Sequence, residues 1–513
     1  MLLASDMATH GHHRQLWTVL LGLGGGALSL LYITGPAVPL ALTVPLLTVI
    51  AGWVVANSVL PSSPVSFLPR VSMLMYVMPF LHLWGYLIWD DFVFLPSAVL
   101  SLGYQMDRHI LSQLGLVGLI GAMGLTCGLL LANVGYHHQE SKPVPHPGSS
   151  RSLGMLPFVL IVLVSLLFSW LDAPIQTILT EQYIEIGNDT RFAEISFAGG
   201  ALFAYILMVV LAIDMMKEPR RGLRLAKLWL IGLAFVVTLV WFQLLRGNRD
   251  ILGLILGYLS LSFYAVAPQF SHWALARSRS PGNPSWAIRK RLMVLVVSLA
   301  LTYVSFQVLG QWRSNAALGE SLGQDAQEVL GEPRRLSTGT WTAALLTPLS
   351  TVGDLELGFM RLRYGRTYLD IFLSLPPGPV ARAIGYVRPF DVQETNLAWQ
   401  MTYGAGGTHA VVSPLLNFSA PGVLLILALV GYLMGRVERS VSSGSDWSLF
   451  FQTTLIVGSA HFFWYGEIYW IRGVMAAVAI WWVYQALLRF ELLAPGGEHR
   501  FPLTSGVGPV TSR

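Results

Sequence analysis

Charge is what this chain has least of. Charged residues make up 12% of its 513 residues and hydrophobic ones 54%, and mean hydropathy is +0.59, which puts it far outside the soluble globular range. Cysteine is nearly absent. The single Cys127 lies within an apolar run, which excludes an internal disulfide framework and a cysteine-based metal site and leaves it as a small core residue. Lysine is scarce too, four against 28 arginines, so a loop without lysine carries little information. No Walker A loop, zinc-ligand pair or dinucleotide fingerprint occurs. The net charge of +5 therefore reflects membrane topology and lipid contact rather than nucleic acid.

What is abundant is apolar sequence in lengths of about 20 residues, the length needed to cross the hydrocarbon core. About twelve stretches qualify: Leu16 to Ile33, Ala37 to Val55, Val71 to Trp89, Leu111 to Val134, Met155 to Leu171, Ile195 to Ile213, Leu228 to Leu245, Ile251 to Ala267, Leu292 to Leu309, Val423 to Gly435, Leu449 to Trp464 and Gly473 to Leu488. The tenth is short. A polar, His-rich preface and the lack of an A-x-A site make the first stretch a membrane helix rather than a cleaved signal. The fold class expected is an all-α polytopic membrane helix bundle. Basic short loops such as DMMKEPRRGLRLAK and the one ending WAIRKRL alternate with short or acidic ones such as WDDFVF. Basic residues resist translocation, so the basic side is cytoplasmic and both termini share it. The division expected is membrane helices one to nine in 1–310, a large extracytoplasmic loop in 311–421, helices ten to twelve in 422–490 and a disordered cytoplasmic tail in 491–513.

The large loop is the longest polar interruption. Its apolar pieces, TWTAALLTPLSTVGDLELGF and YLDIFLSLPP, are broken by Pro and Asp and read as interfacial or re-entrant helices over the bundle. The stretch from Ser314 to Thr340 reads as a flexible lid or tether. From Arg361 onward, Arg361, Arg363, Arg366, Arg382 and Arg388 stand against one acid, Asp370, before Asp391 and Glu394. A second arginine element, Arg246 and Arg249 in the turn LLRGNRDI, faces the same compartment. Arginine's planar fork suits bidentate recognition of phosphate, so a phosphate-bearing ligand at the outer leaflet accounts for both, against the plainer alternative of arginines that contact lipid headgroups. His409 follows the run Gly404, Gly406, Gly407, where backbone can approach a ligand and an imidazole can act as general base. Solvation alone is the other reading of a loop histidine. His82 and His461 fall inside apolar runs and read as helix contacts, while Asp90 and Asp91 read as solvated.

The order of features from Trp241 to Arg439 resembles the oligosaccharide repeat-unit polymerases, or O-antigen polymerases: an R-x-x-G-type outward turn, RYGRTYLDIFLSLPP, then GAGGTHAVVSPLLNFSAPG at the head of a helix. Gly365, Tyr368, Leu369, Pro376, Asn417 and Phe418 match the family pattern. Two positions depart from it. Ser413 and Pro414 stand where members often carry an acid, and Ser419 replaces the last glycine of N-F-G. The resemblance implies inverting, metal-independent glycosyl transfer on undecaprenyl diphosphate-linked glycans at the outer face of a bacterial inner membrane, with no soluble cofactor. It also implies arginines on the diphosphate, His409 on the acceptor hydroxyl, and a chain-length regulator and a flippase as partners. A ligase that moves finished glycan onto a lipid core would share these parts. A flippase or other transporter would also want a cationic cavity, but such folds are built from internal repeats around midplane sites, whereas here the arginines gather in one outward loop.

Overall fold

The computed structural model describes residues 2–35, 42–43, 46, 49–50, 108–133, 152–172, 200–218, 220–238, 348–374, 381, 383–387, 409–441, 447–455 and 467–493. Among them every regular element is a helix. They are α1 (Leu2–Thr34), α2 (Arg108–Asn133), α3 (Met155–Asp172), α4 (Gly200–Lys217), α5 (Arg221–Thr238), α6 (Arg366–Leu373), α7 (His409–Val441) and α8 (Glu467–Leu493), with helical stretches also at 348–356 and 447–455. Four are long and apolar enough to cross a membrane: Gln15–Thr34, His109–Ala132, His409–Val437 and Gly473–Phe490. Met155–Leu167 and Ala204–Met215 are shorter apolar helices. The stretches expected at Val71 to Trp89, Ile251 to Ala267 and Leu292 to Leu309 lie outside the described residues.

One core is built on α2, which is buried on nearly every face (Leu114, Leu116, Val117, Leu119 and Ile120 at 0–1% exposure). Helix α1 runs antiparallel to it, since Cys127 Sγ donates to the Thr18 carbonyl at 3.5 Å while Gly24 faces Met123. Helix α7 runs parallel to it: Gly124 lies against Leu424, Gly128 against Ala428 and Gly435 against Ala132. This seam is made by small residues, as expected where lipid offers no hydrophobic drive to helix association and close backbone packing must supply it. A Cβ on Gly128 or Gly431 would run into the carbonyls of Ala428 and Leu125. At the far end Arg439 Nη1 donates to the Ala132 carbonyl at 3.4 Å, satisfying a C-terminal carbonyl of α2. Gly128→Val should therefore cost at the upper end of the ~1–3 kcal/mol range for overpacking, because what its side chain would meet is backbone. Gly26→Ala, with nothing within 4 Å of its Cβ, should be neutral or gain up to ~1 kcal/mol from helix propensity. Thermal unfolding in detergent compares the two.

A second core joins α3, α4, α5 and α8, and a buried ionic network pins it. Lys227 Nζ lies 2.8 Å from Asp214 Oδ2, 3.2 Å from Glu218 Oε2 and 2.7 Å from the Leu153 carbonyl. Asp214 Oδ1 accepts from Leu153 N at 2.8 Å and from Tyr484 Oη at 2.9 Å, and Ser152 Oγ donates to Glu218 at 2.7 Å. Burial alone would raise the Glu218 carboxyl, but hydrogen bonds from Ser152, Lys227 and the Arg220 backbone bring it below its usual value. Lys227, read from sequence as part of a basic loop, is fully buried within α5 and lies 5.0 Å from the Phe158 ring.

The stretch 348–356 is helical and docks on the first core. Val352 is fully buried and Gly353 meets Ile110. Glu356 Oε2 lies 3.8 Å from His109 Nε2 in the first turn of α2, a pairing between the large loop and α2 that nothing in the sequence signals.

Candidate functional site

The site is a loop bearing arginines, clamped to a break in α7. The break is local chemistry. Pro421 has no N–H to give to the carbonyl four residues earlier, that of Asn417, and its ring crowds that carbonyl. Helical geometry fails at Phe418 (φ −136°, ψ 15°) and Ser419 (φ 59°, ψ −159°). Gly422 lets the chain close up there: a Cβ on it would stand 2.5 Å from Phe418 Cβ and 2.7 Å from the Pro414 carbonyl.

The carbonyls released by the break are taken by the loop. Leu416 O accepts from Arg363 N at 3.0 Å and Asn417 O from Tyr364 N at 3.1 Å. The Asn417 side chain completes the clamp: its Oδ1 accepts from Gly365 N at 2.9 Å and Thr367 N at 3.3 Å, and its Nδ2 donates to the Ser413 carbonyl at 2.7 Å. Oδ1 thereby satisfies N–H groups at the start of α6, a duty that the residue before the helix usually performs. Here that residue is Gly365 in the left-handed region (φ 88°, ψ −4°), with no side chain to offer. Phe418 stacks on Tyr368 with ring centroids 6.2 Å apart and fills the space beside Gly365, where a Cβ would stand 3.2 Å from its Cζ.

Three of the arginines expected from sequence are brought together on this turn. Arg361 and Arg366 are exposed and Arg363 is half-buried, and among the described residues no carboxylate engages them. Between them Tyr364 holds φ 48° and is 79% exposed. A non-glycine residue in this region costs on the order of 1 kcal/mol, sustained here by the hydrogen bonds on both sides of it. Thr367 Oγ1 is buried with no hydrogen-bond partner among the described residues. Arg246, Arg249, Arg382 and Arg388, with Asp391, Glu394 and Pro376, lie outside the described residues. No group of three His, Cys, Asp or Glu among the described residues could hold a metal ion.

His409 is not on a loop. It is the first residue of α7, 2% exposed, with φ 32°. Its Nδ1 accepts from Val411 N at 3.3 Å, and a ring nitrogen that accepts carries no proton, so the neutral ring in this arrangement holds its hydrogen on Nε2. Eight residues, ~12 Å of helix, separate it from Asn417. The stretch read as beginning at Val423 thus begins at His409; Pro414, Asn417, Ser419, Pro421 and Gly422 had cut the hydropathy signal. Comparison of the chain with protein-family models, curated proteins and solved structures returns no match.

Proposed function

We propose that this protein extends surface glycans at the outer face of a bacterial inner membrane, transferring undecaprenyl diphosphate-linked repeat units by inverting, metal-independent glycosyl transfer. One observation carries the reading: Gly365, Tyr368, Asn417 and Phe418, quoted from two segments 50 residues apart as the family pattern, meet in one clamp, and the clamp presents Arg361, Arg363 and Arg366 together. In this reading the chain spans twelve times with both termini cytoplasmic. The helix directions agree with it, since α1, α2 and α7 would be the first, fourth and tenth spans, one antiparallel and one parallel to α2. From Ser419 to Gly435, just before Arg436, α7 rises ~24 Å, most of the ~30 Å of a hydrocarbon core, so with Arg436 at the inner surface the clamp comes close to the outer headgroups.

The arginines hold the diphosphate and neutralise charge as it departs from the anomeric carbon, while the acceptor hydroxyl attacks from the opposite face. His409 takes the acceptor proton. That role requires its Nε2 to be bare, so the ring must exchange the Val411 contact for a proton on Nδ1.

The test is turnover of purified protein on lipid-linked repeat units, at matched protein level. Single Arg→Lys changes at 361, 363 and 366 should each lose on the order of 10²-fold, because an ammonium lacks the bidentate fork. His409→Gln, which cannot accept a proton, should lose about 10² to 10⁴-fold. Full polymerisation by all three lysine variants would overturn the diphosphate grip, and His409→Gln within about threefold of wild type would leave that residue as a helix opener only.

A further inference from the structure

Tyr364 combines two properties that seldom coincide. Its backbone is forced into the left-handed region, yet its ring makes so little use of the protein that 79% of the residue stays exposed. Strain held in place by surrounding hydrogen bonds and spent on an exposed side chain points to something outside the chain. A tyrosine that merely anchors the protein in headgroups needs no such backbone, and the exposed Leu369, Phe372 and Leu373 of α6 already offer an ordinary helical surface for lipid.

We propose that Tyr364 is the stacking floor of a carbohydrate subsite, receiving the pyranose ring joined directly to the diphosphate. The inference rests on the glycan-transfer reading above and adds a residue and a ligand group to it. In a lipid diphosphate sugar the anomeric oxygen is also a phosphate oxygen, so arginines that grip the diphosphate fix the first ring within a bond or two of themselves. Tyr364 stands between Arg363 and Arg366 in sequence, and its N–H is held by the Asn417 carbonyl. The axial C–H face of a pyranose packs on the electron-rich face of an aromatic ring, and the phenol oxygen remains available to a sugar hydroxyl. Asn417 fixes the backbone from which the ring projects, through the N–H groups of Tyr364 and Gly365.

The experiment measures binding to nanodisc-embedded protein of two probes, undecaprenyl diphosphate carrying one repeat unit and undecaprenyl diphosphate alone. Tyr364→Gly suits it because glycine tolerates positive φ, so the melting temperature should hold or rise. The glycosylated probe should bind about tenfold more weakly to this variant, the order of one aromatic stacking contact, while the bare probe stays within about twofold. Tyr364→Trp should retain the preference for the sugar and Tyr364→Leu should lose it. Equal weakening of both probes, or Leu serving as well as Trp, overturns the subsite in favour of apolar anchoring. A wild type that neither prefers the glycosylated probe nor extends it overturns the glycan-transfer reading itself.

Discussion

Lys227→Met should destabilise the protein by about 3 to 5 kcal/mol, the cost of removing one partner from a buried ionic group. The methionine fills much the same volume, so the loss is electrostatic rather than a cavity. Asp214 would keep Leu153 N and Tyr484 Oη but lose its cation, and Glu218 would keep only Ser152 and the Arg220 backbone. Arg220→Gln, at an exposed position close by, should change stability by no more than ~0.5 kcal/mol. The triple change Lys227→Met, Asp214→Asn, Glu218→Gln should recover part of the loss, since the uncompensated charges go with their partner. Unfolding followed through tryptophan fluorescence reads this well, because Lys217 places a charge 5.8 Å from the Trp481 ring at the edge of the network. A Lys227→Met protein within 1 kcal/mol of wild type would show that water reaches the site. The pH dependence follows from the sign of the Glu218 shift. A carboxyl lowered on folding contributes stability that is present above its unfolded value of ~4.3 and is lost as pH falls through its folded value, below that.

Asn417→Ala should have the largest effect on the site. Two backbone N–H groups, those of Gly365 and Thr367, would lose their acceptor at once, and the Ser413 carbonyl would lose its side-chain donor; buried unmade hydrogen bonds cost about 1 to 3 kcal/mol each. The clamp is local, so the expected readout is hydrogen exchange at residues 363–367, protected in wild type and open in the variant, together with, for the activity proposed above, turnover as low as in the arginine variants. Asn417→Asp separates two parts of the role. It keeps the acceptor for both N–H groups and adds negative charge where the α6 dipole favours it, but it sets a second acceptor oxygen against the buried Ser413 carbonyl, so residues 363–367 should stay protected while the protein as a whole loses stability. Unchanged protection in Asn417→Ala would mean that the Leu416 and Asn417 carbonyls hold the loop without help.

Much of this was legible in the sequence, and for identifiable reasons. A run of about 20 apolar residues has few alternatives to a membrane helix, which is why α1, α2 and α8 lie where hydropathy put them. The three described arginines of the large loop share one turn because they are close in sequence. Hydropathy failed where a helix carries its own interruption: averaging across Pro414, Asn417 and Pro421 hides the first half of α7, and with it the fact that His409 is buried in a helix. It failed again at Lys227, where a charge near a helix end reads as solvated unless its partners Asp214 and Glu218 are known to face it. The pairing of Asn417 with Gly365 spans 52 residues, and no local pattern encodes it. The carbonyls released by Pro421 need donors, but that need does not name them.

The parallel seam between α2 and α7 has a consequence for how the chain is made. Gly124 and Leu424 touch across 300 residues of sequence. At ~5 to 20 residues per second, the ribosome needs about 15 to 60 s to deliver the second helix after the first. Helix α1 is available from the start to cover one side of α2, but the side lined by Gly121, Gly124 and Gly128 must wait in the bilayer, able to accept any other closely packing helix that arrives sooner. The order of synthesis therefore sets a competition that the native partner enters late, and a chain released before Leu424 would expose the groove to other membrane proteins and to membrane quality control.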